Sequence, residues 1–209
     1  MYVNCVQQPT ATRTPEATRQ KILMAAFHEF YKNGFQGGSL NHIVETAGIT
    51  KGALFHHFAG KHELGYAVLD EVIGPLLLQR WLSPLADSPD PIAALKKAFR
   101  QFVKTDIDSG SFIQGCPLNN LAQEMSPLDQ GFRQRIDKLY ETWRASCAVA
   151  FADGIKARKV RKNISPANVA ALVVASQMGI WGTAKSSQDP QLMTQASEAL
   201  CEYLDGLKP

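Results

Sequence analysis

GSLNHIVETAGITKGALFHHFAGKHEL, the stretch from Gly38 to Leu64, decides the fold. Ser39 is placed to cap a short helix that carries Leu40, Ile43, Val44 and Ala47 on one side. Gly48 supplies the left-handed backbone that a sharp turn needs. Thr50 then caps a second short helix whose Leu54 and Phe58 point inward, and Ala47 is small where the two helices must cross. This is the pattern of a helix-turn-helix, whose second helix docks in a major groove. The outer side of that helix offers Thr50, Lys51, Gly52, Ala53, Phe55, His56 and His57. Its N-terminus carries the positive end of the helix dipole, suited to a phosphate. Gly52 and Ala53 keep the surface low enough for backbone to approach base edges. Lys51 has the length to reach a guanine edge or a phosphate. The pattern alone leaves open a helical hairpin that merely packs, and His56 and His57 either meet DNA or only cap and pack.

Outward from this segment the chain reads as helices with clear starts. Thr14-Pro15, Asp90-Pro91, Ser126-Pro127, Ser165-Pro166 and Asp189-Pro190 each set a capping side chain before a proline. The cap oxygen accepts an orphan backbone N–H, and proline at the first helical position has no N–H to leave unpaired. Helix-period apolar stripes follow. Ile22, Leu23, Ala26, Phe27 and Phe30 run up to a stop at Asn33-Gly34; Ile92, Leu95, Phe99 and Phe102 form a second stripe. A third helix is expected from Pro127 through Leu128, Phe132, Ile136, Leu139, Trp143, Cys147 and Ala150. No segment alternates as a strand does, so the fold class is all-α. Ser83 to Pro91, with three prolines and no periodicity, reads as a loop, and residues 1–14 as a disordered arm. Between Ala167 and Ala184 nearly every helix face is apolar or small, and the last helix, from Pro190 to about Leu207, has one broad apolar face. Val169, Leu172, Val173, Ser176 and Ile180 on the first, with Leu192, Ala196, Leu200 and Tyr203 on the second, are candidates for a dimer interface. Two ordinary core helices are the other reading.

Composition excludes several classes. At 209 residues, 45% hydrophobic and 20% charged, the chain buries a substantial core. No uninterrupted apolar run approaches the ~20 residues of a membrane span, and the N-terminus lacks the pattern of a secretion signal. Cys5, Cys116, Cys147 and Cys201 show no paired or metal-type spacing, which fits a reduced, cytoplasmic protein with no metal or cofactor. The net charge of +3 does not by itself argue for nucleic acid. Its distribution says slightly more. Up to Glu63, Arg13, Arg19, Lys21, Lys32, Lys51 and Lys61 outnumber Glu16, Glu29, Glu45 and Glu63, and all five histidines lie between His28 and His62. With no histidine beyond His62, no His-dependent triad can form in the rest of the chain, and an enzyme is not expected.

Gly48 to Phe58 (GITKGALFHHF) followed by Gly60-Lys61-His62-Glu63-Leu64 resembles the DNA-binding segment of the TetR/AcrR repressor family, as does the preceding Ala25-Ala26-Phe27 with Phe30 to Phe35 (FYKNGF). The resemblance covers roughly residues 15 to 70. It implies a helix-turn-helix domain over 15–60 and an effector-binding and dimerisation domain over 61–209. It further implies a homodimer on palindromic double-stranded operator DNA, released by a small apolar or amphipathic molecule. Phosphate contacts are implied for Ser39, His57 and Lys61, and base contacts for Thr50, Lys51 and Ala53. Phe55 departs from the family's usual tyrosine, so that hydroxyl's bond to the DNA backbone is lost.

For the effector, Trp81, Phe99, Phe102, Phe112, Asn120, Tyr140, Trp143, Met178 and Trp181 form the candidate pocket, with Asn119, Gln123 and Gln177 as further polar groups. Each of the aromatic and sulfur residues has plain core as its other reading. Gly115-Cys116-Pro117 puts Cys116 at a helix start, where the dipole favours thiolate. Cys116 is therefore either an electrophile or redox sensor or a small residue lining the pocket. The run Lys156, Arg158, Lys159, Arg161, Lys162 is either a solvated loop or a second contact with DNA.

Overall fold

Caps and prolines set the helix starts in the computed structural model, which describes residues 14–86 and 88–209. Helix α1 (Pro15–Asn33) begins behind Thr14, whose hydroxyl accepts from Ala17 N, and ends at Gly34 with φ 76°. The arm expected over residues 1–14 lies, except for Thr14, outside the described residues, as does Cys5. Helices α2 (Leu40–Ala47), α3 (Lys51–His57) and α4 (Lys61–Val68) follow. A π-helical turn (Leu69–Ile73) then leads into α5 (Gly74–Trp81). Pro75 has no N–H for the α-helical bond to Glu71, a local reason for the altered register.

Two expectations are corrected next. Ser83 to Pro91 is not all loop: α6 (Ser83–Ala86) makes one turn, closed by Ala86 N on Leu82 O, with Leu85 buried. Leu82 O accepts from both Leu85 N and Ala86 N, and Pro84 sits in the first turn, where its missing N–H leaves nothing unpaired. Helix α7 (Pro91–Ser109) starts behind Asp90, and a 3₁₀ turn (Ser111–Gln114) precedes α8 (Pro117–Met125). The helix expected from Pro127 begins instead at Gln130. Ser126, Leu128 and Asp129 donate their N–H groups back to Ala122 and Met125, closing α8, so Pro127 lies in the turn. Asp129 then caps α9 (Gln130–Lys156) by accepting Phe132 N at 2.8 Å, and Leu128 is left 62% exposed. Helices α10 (Pro166–Ser187) and α11 (Pro190–Asp205) begin behind Ser165 and Asp189. No strand occurs among the described residues.

The chain divides into two compact units. One gathers the residues through Pro75 with Asn120–Ile136, and the other Leu76–Asn119 with Asp137–Pro209. In the first, α1 packs on α2, α3 and α4. Ile22, Leu23, Ile43, Leu54, Phe58 and Leu64 are its buried centre. Gly65 is required there: a Cβ would meet the Phe35 ring at 2.5 Å and the Phe132 ring at 2.7 Å. In the second unit α11 packs against α7 and α10, and Trp81, Trp143, Trp181, Phe99 and Phe151 fill the interior. By length and composition α10 is apolar enough to cross a membrane, with a mean hydropathy of 1.2 over its best window. Of that window 44% is buried, and a core helix passes the same length-and-composition test.

Candidate DNA-reading site and effector core

The reading head is assembled from short-range caps. Ser39 Oγ accepts His42 N at 3.4 Å, Gly48 sits at φ 64° and ψ 40°, and Thr50 Oγ1 accepts Ala53 N at 3.2 Å. With Leu54 and Phe58 buried, α3 turns Lys51, Gly52, Phe55 and His56 to the surface, Phe55 at 53% exposure, while Ala53 and His57 are half-buried. Nothing lies near the positions where Cβ atoms would stand on Gly48 and Gly60, and Gly52 faces only Thr50 Oγ1 at 3.8 Å. A low, uncluttered helix N-terminus with a free-standing lysine is thus exposed. Lys61 differs from its neighbours: its ammonium donates to Gln36 O at 3.0 Å and lies 5.1 Å from the Phe35 ring centre, so one of its three donors already has a structural task.

Sequence reasoning passed over two carboxylates that hold this head. Glu29 occupies the buried stripe of α1, seven residues beyond Ile22, and accepts Ser39 N at 2.8 Å and the His42 ring nitrogen Nδ1. Burial pushes the Glu29 carboxyl up, but hydrogen bonds from Ser39, His42 and Asn33 outweigh it and hold the group below its ordinary value. Its charge is therefore part of the fold. Glu29→Gln is expected to cost about 1–3 kcal/mol in urea unfolding at pH 7. Because the folded value is depressed, the wild-type advantage is fully present above the ordinary carboxylate value of 4.5 and is lost as pH falls through the folded value. Equal urea midpoints for variant and wild type at pH 7 would contradict this. A charged residue on an apolar stripe was the available signal for Glu29. The second carboxylate is Glu124, which accepts Phe35 N at 2.8 Å and Gln36 N at 2.7 Å across most of the unit's sequence span. No local pattern announces it.

In the second unit, Trp81 is the hub of the expected aromatic set. Its ring centre lies 4.8 Å from Phe99, 5.1 Å from Phe102, 5.4 Å from Trp143 and 5.5 Å from Trp181. Asp106, 1% exposed, accepts Trp181 Nε1 at 2.6 Å and Arg80 Nη2 at 2.7 Å, and the guanidinium covers the Phe102 ring at 4.3 Å. These rings pack on one another as core. A second, more polar group lies where α8, α9 and α10 supply Cys116, Asn119, Tyr140, Gln177 and Met178. Tyr140 donates its hydroxyl to the Met178 sulfur at 3.1 Å, and Asn119 Nδ2 reaches Met178 O at 3.5 Å. Gln177 is buried and pulls the Cys116 thiol pKa down, and its Oε1 has no hydrogen-bond partner among the described residues. Phe112 is buried, while Asn120 belongs to the other unit.

Cys116 behaves differently from its sequence context. Burial pushes the thiol up, against the N–H groups of Asn119 and Leu118, which pull it down. The helix start does act on the sulfur, but desolvation outweighs it, so thiolate is disfavoured at rest. Cys147, also buried, is pushed up to about 12. Grooves outside the expected set open along α7 and α11. One of about 360 Å³ is lined by Ile107, Pro190, Gln191, Thr194 and Gln195, and one of about 260 Å³ includes Arg100, Lys104, Ser197 and Glu198.

Known proteins share both halves. The family described as "Bacterial regulatory proteins, tetR family" matches residues 22–68, and "Tetracyclin repressor-like, C-terminal domain" matches residues 91–200. The chain belongs to the TetR family of transcriptional regulators. It is 28% identical over 169 residues to the HTH-type transcriptional repressor DhaR of Mycobacterium sp. (strain GP1), covering 80% of this chain and 81% of that one. A TetR-family regulator from Cytophaga hutchinsonii superposes with a TM-score of 0.83 at 20% identity, over 95% of this chain and 98% of that. Reduced Escherichia coli NemR does so with 0.76 at 22% identity, over 91% and 96%. These two share the fold.

Of the interface candidates, Val169, Val173, Ile180 and Leu200 are buried within their own unit, so they pack the TetR chain's own core. Leu172, Leu192 and Tyr203 are exposed at 42%, 36% and 41%, and Ser176 and Ala196 are half-buried. Around them Ala171, Ala175, Gly179 and Ala199 are exposed too. The basic residues from Lys156 to Lys162 are exposed, with Lys156 paired to Asp153.

Proposed function

We propose that this TetR-family regulator is a ligand-responsive repressor in the cytoplasm that binds a palindromic operator as a homodimer and leaves it when a small molecule enters the second unit. The observation that carries the reading is the N-terminus of α3. Lys51 and Gly52 stand exposed there beside the capping Thr50, on a helix pinned from behind by Leu54 and Phe58. A helix so presented fits a major groove, with Thr50, Lys51 and Ala53 toward bases and Ser39, His57 and Lys61 toward phosphates. Dimerisation is assigned to the exposed stripe of α10 (Leu172, Ala175, Gly179) with that of α11 (Leu192, Ala199, Tyr203). Small residues let two such helix pairs approach, and Leu172, Leu192 and Tyr203 supply apolar area.

The effector is assigned to the polar group of α8, α9 and α10. The buried Asp106 carboxylate is paired with Arg80, whereas among the described residues Gln177 Oε1 has no donor and the Tyr140 hydroxyl donates to a thioether. An uncharged, amphipathic molecule fits such groups better than an ion, whose desolvation nothing there would offset. A second reading makes Cys116 an electrophile or redox sensor, supported by the N–H groups that face its sulfur and opposed by its burial. Thiol modification that goes no faster than that of a free cysteine ends it.

Selection of bound duplexes from a random library, at two salt concentrations, tests the main reading. Enrichment of a two-fold symmetric site is expected. Loss of all binding at moderate salt without enrichment would overturn it.

A further inference from the structure

Between α9 and α10, within the second unit, Lys156, Arg158, Lys159, Arg161 and Lys162 place five cations in seven residues, all exposed. The segment is not a slack linker. Ala157 and Arg158 donate their N–H groups to Asp153 O and Ile155 O at 2.8 and 3.1 Å. Lys159 and Val160 both donate to Gly154 O, at 2.8 and 3.1 Å. Val160 is 1% exposed and fills the space beside Gly154, where a Cβ would meet Val160 Cγ2 at 2.7 Å and Pro91 Cγ at 2.8 Å. Beyond it, Arg161 N donates to Leu207 O at 2.8 Å, which ties the segment to the turn after α11. Two cations thus precede a buried anchor and two follow it, on a backbone held at both sides.

This corner bears two costs. Arg158 has a φ of 58°, the left-handed conformation in which glycine commonly ends a helix. Like charges are also crowded, and no described residue pairs with Arg158, Lys159, Arg161 or Lys162. The aspartates on the elements that meet here are engaged elsewhere. Asp153 pairs with Lys156 at 2.8 Å, Asp205 pairs with Lys96 and with Lys208, and Asp90 caps α7. Charge presented so rigidly, and left uncompensated by the fold, attracts an anion from outside the chain.

The surroundings decide which anion. Apart from the cations, the exposed residues from 156 to 163 are Ala157 and Asn163. Neither offers a ring to stack on an unpaired base, nor a large apolar group to enter lipid or anchor a protein partner. Guanidinium and ammonium donors alone remain, the set that phosphate oxygens accept. We propose that this corner is a second contact with double-stranded DNA, separate from α3, and that it holds the phosphate backbone without regard to sequence. Phosphate contacts carry no sequence information, so any duplex serves.

The experiment uses full-length protein and a duplex of random sequence. Acylation of the Lys159 and Lys162 amines, followed by mass spectrometry, reads the corner in the unaltered protein. The duplex is expected to slow both several-fold. Affinity is then measured against salt in a Lys51→Glu chain, where α3 no longer dominates. Into it are placed either Arg158→Gln, Lys159→Gln, Arg161→Gln and Lys162→Gln together, which remove charge, or Arg158→Lys with Arg161→Lys, which keep it. The glutamine set should weaken binding about tenfold and flatten the slope of log affinity against log salt by about three. The lysine pair should keep the parent's slope.

Acylation that the duplex leaves unchanged would overturn the proposal, whether or not the glutamine set folds. A glutamine set with the parent's slope would overturn it as well. So would equal protection by inorganic phosphate at matched ionic strength, or protection by vesicles of phosphatidylserine and phosphatidylcholine with none by duplex. Failure of wild type to enrich a palindrome would sink the operator reading and leave this contact standing. A corner indifferent to duplex would sink the contact and leave the operator reading standing.

Discussion

Asp106→Ala should destabilise the second unit by about 3–5 kcal/mol, the usual consequence of removing one partner from a buried ion pair. The carboxylate is 1% exposed and takes a charged hydrogen bond from Arg80 at 2.7 Å and the Trp181 indole N–H at 2.6 Å. Removing it takes the counter-charge from a guanidinium that lies over the Phe102 ring and the acceptor from a buried indole N–H. The two contributions separate by substitution. Trp181→Phe deletes only the neutral donor and some ring area, and should cost less than Asp106→Ala. Asp106→Asn keeps the shape and an acceptor but leaves Arg80 without its counter-charge. The double variant Arg80→Met, Asp106→Leu removes both charges at similar volume. It should be more stable than Asp106→Ala, because the penalty lies in the uncompensated ion rather than in loss of the pair. Urea unfolding followed by the tryptophans of this unit measures all four. An Asp106→Ala midpoint equal to wild type would mean that the pair is solvated and contributes nothing.

Legibility in the sequence followed the range of the interactions. Features fixed within a few residues could be read: Ser39 and Thr50 as caps, Gly48 at positive φ, and the prolines that open α1, α7, α10 and α11. The cap-proline rule failed at Ser126-Pro127, because the end of α8 competes for the same residues and wins by returning Ser126, Leu128 and Asp129 N–H groups to its carbonyls. Asp129, three residues on, is the true cap. The aromatic residues were recognisable as interior. Composition could not tell that Trp81, Phe99, Trp143 and Trp181 would pack on one another rather than line a space. Likewise the apolar stripe of α10 does not say which of its faces the protomer uses. Val173 and Ile180 are spent on its own core, while Leu172 remains outside. The clasps at Glu29 and Glu124 were the least legible part of the site. Glu124 acts 88 and 89 residues from its partners, and a glutamate on a short helix looks the same whether it faces solvent or two backbone amides.

Lys51→Glu should abolish specific operator binding while leaving the fold intact. Lys51 is exposed at the first position of α3, and none of the described residues pairs with it, so its replacement touches no folded-state partner and should change stability by less than about 0.5 kcal/mol. On DNA the same position matters in two ways. Truncation in Lys51→Ala removes a donor and should cost about 1–3 kcal/mol. The glutamate adds a negative charge against the polyanion and sets it at the positive helix end, so the loss should exceed that of alanine. How the alanine loss is distributed tells what the lysine reads. If Lys51 bonds a guanine edge, the loss is confined to the enriched duplex and preference relaxes at one base pair, with the salt slope unchanged. If it pairs with a phosphate, all duplexes weaken alike and the slope of log affinity against log salt falls by about one. Thr50 offers an internal control. Its oxygen already caps α3 through Ala53 N, so Thr50→Val should cost stability as well as affinity. An effect of Lys51→Glu on melting as large as its effect on binding would place the lysine in the fold rather than at the DNA.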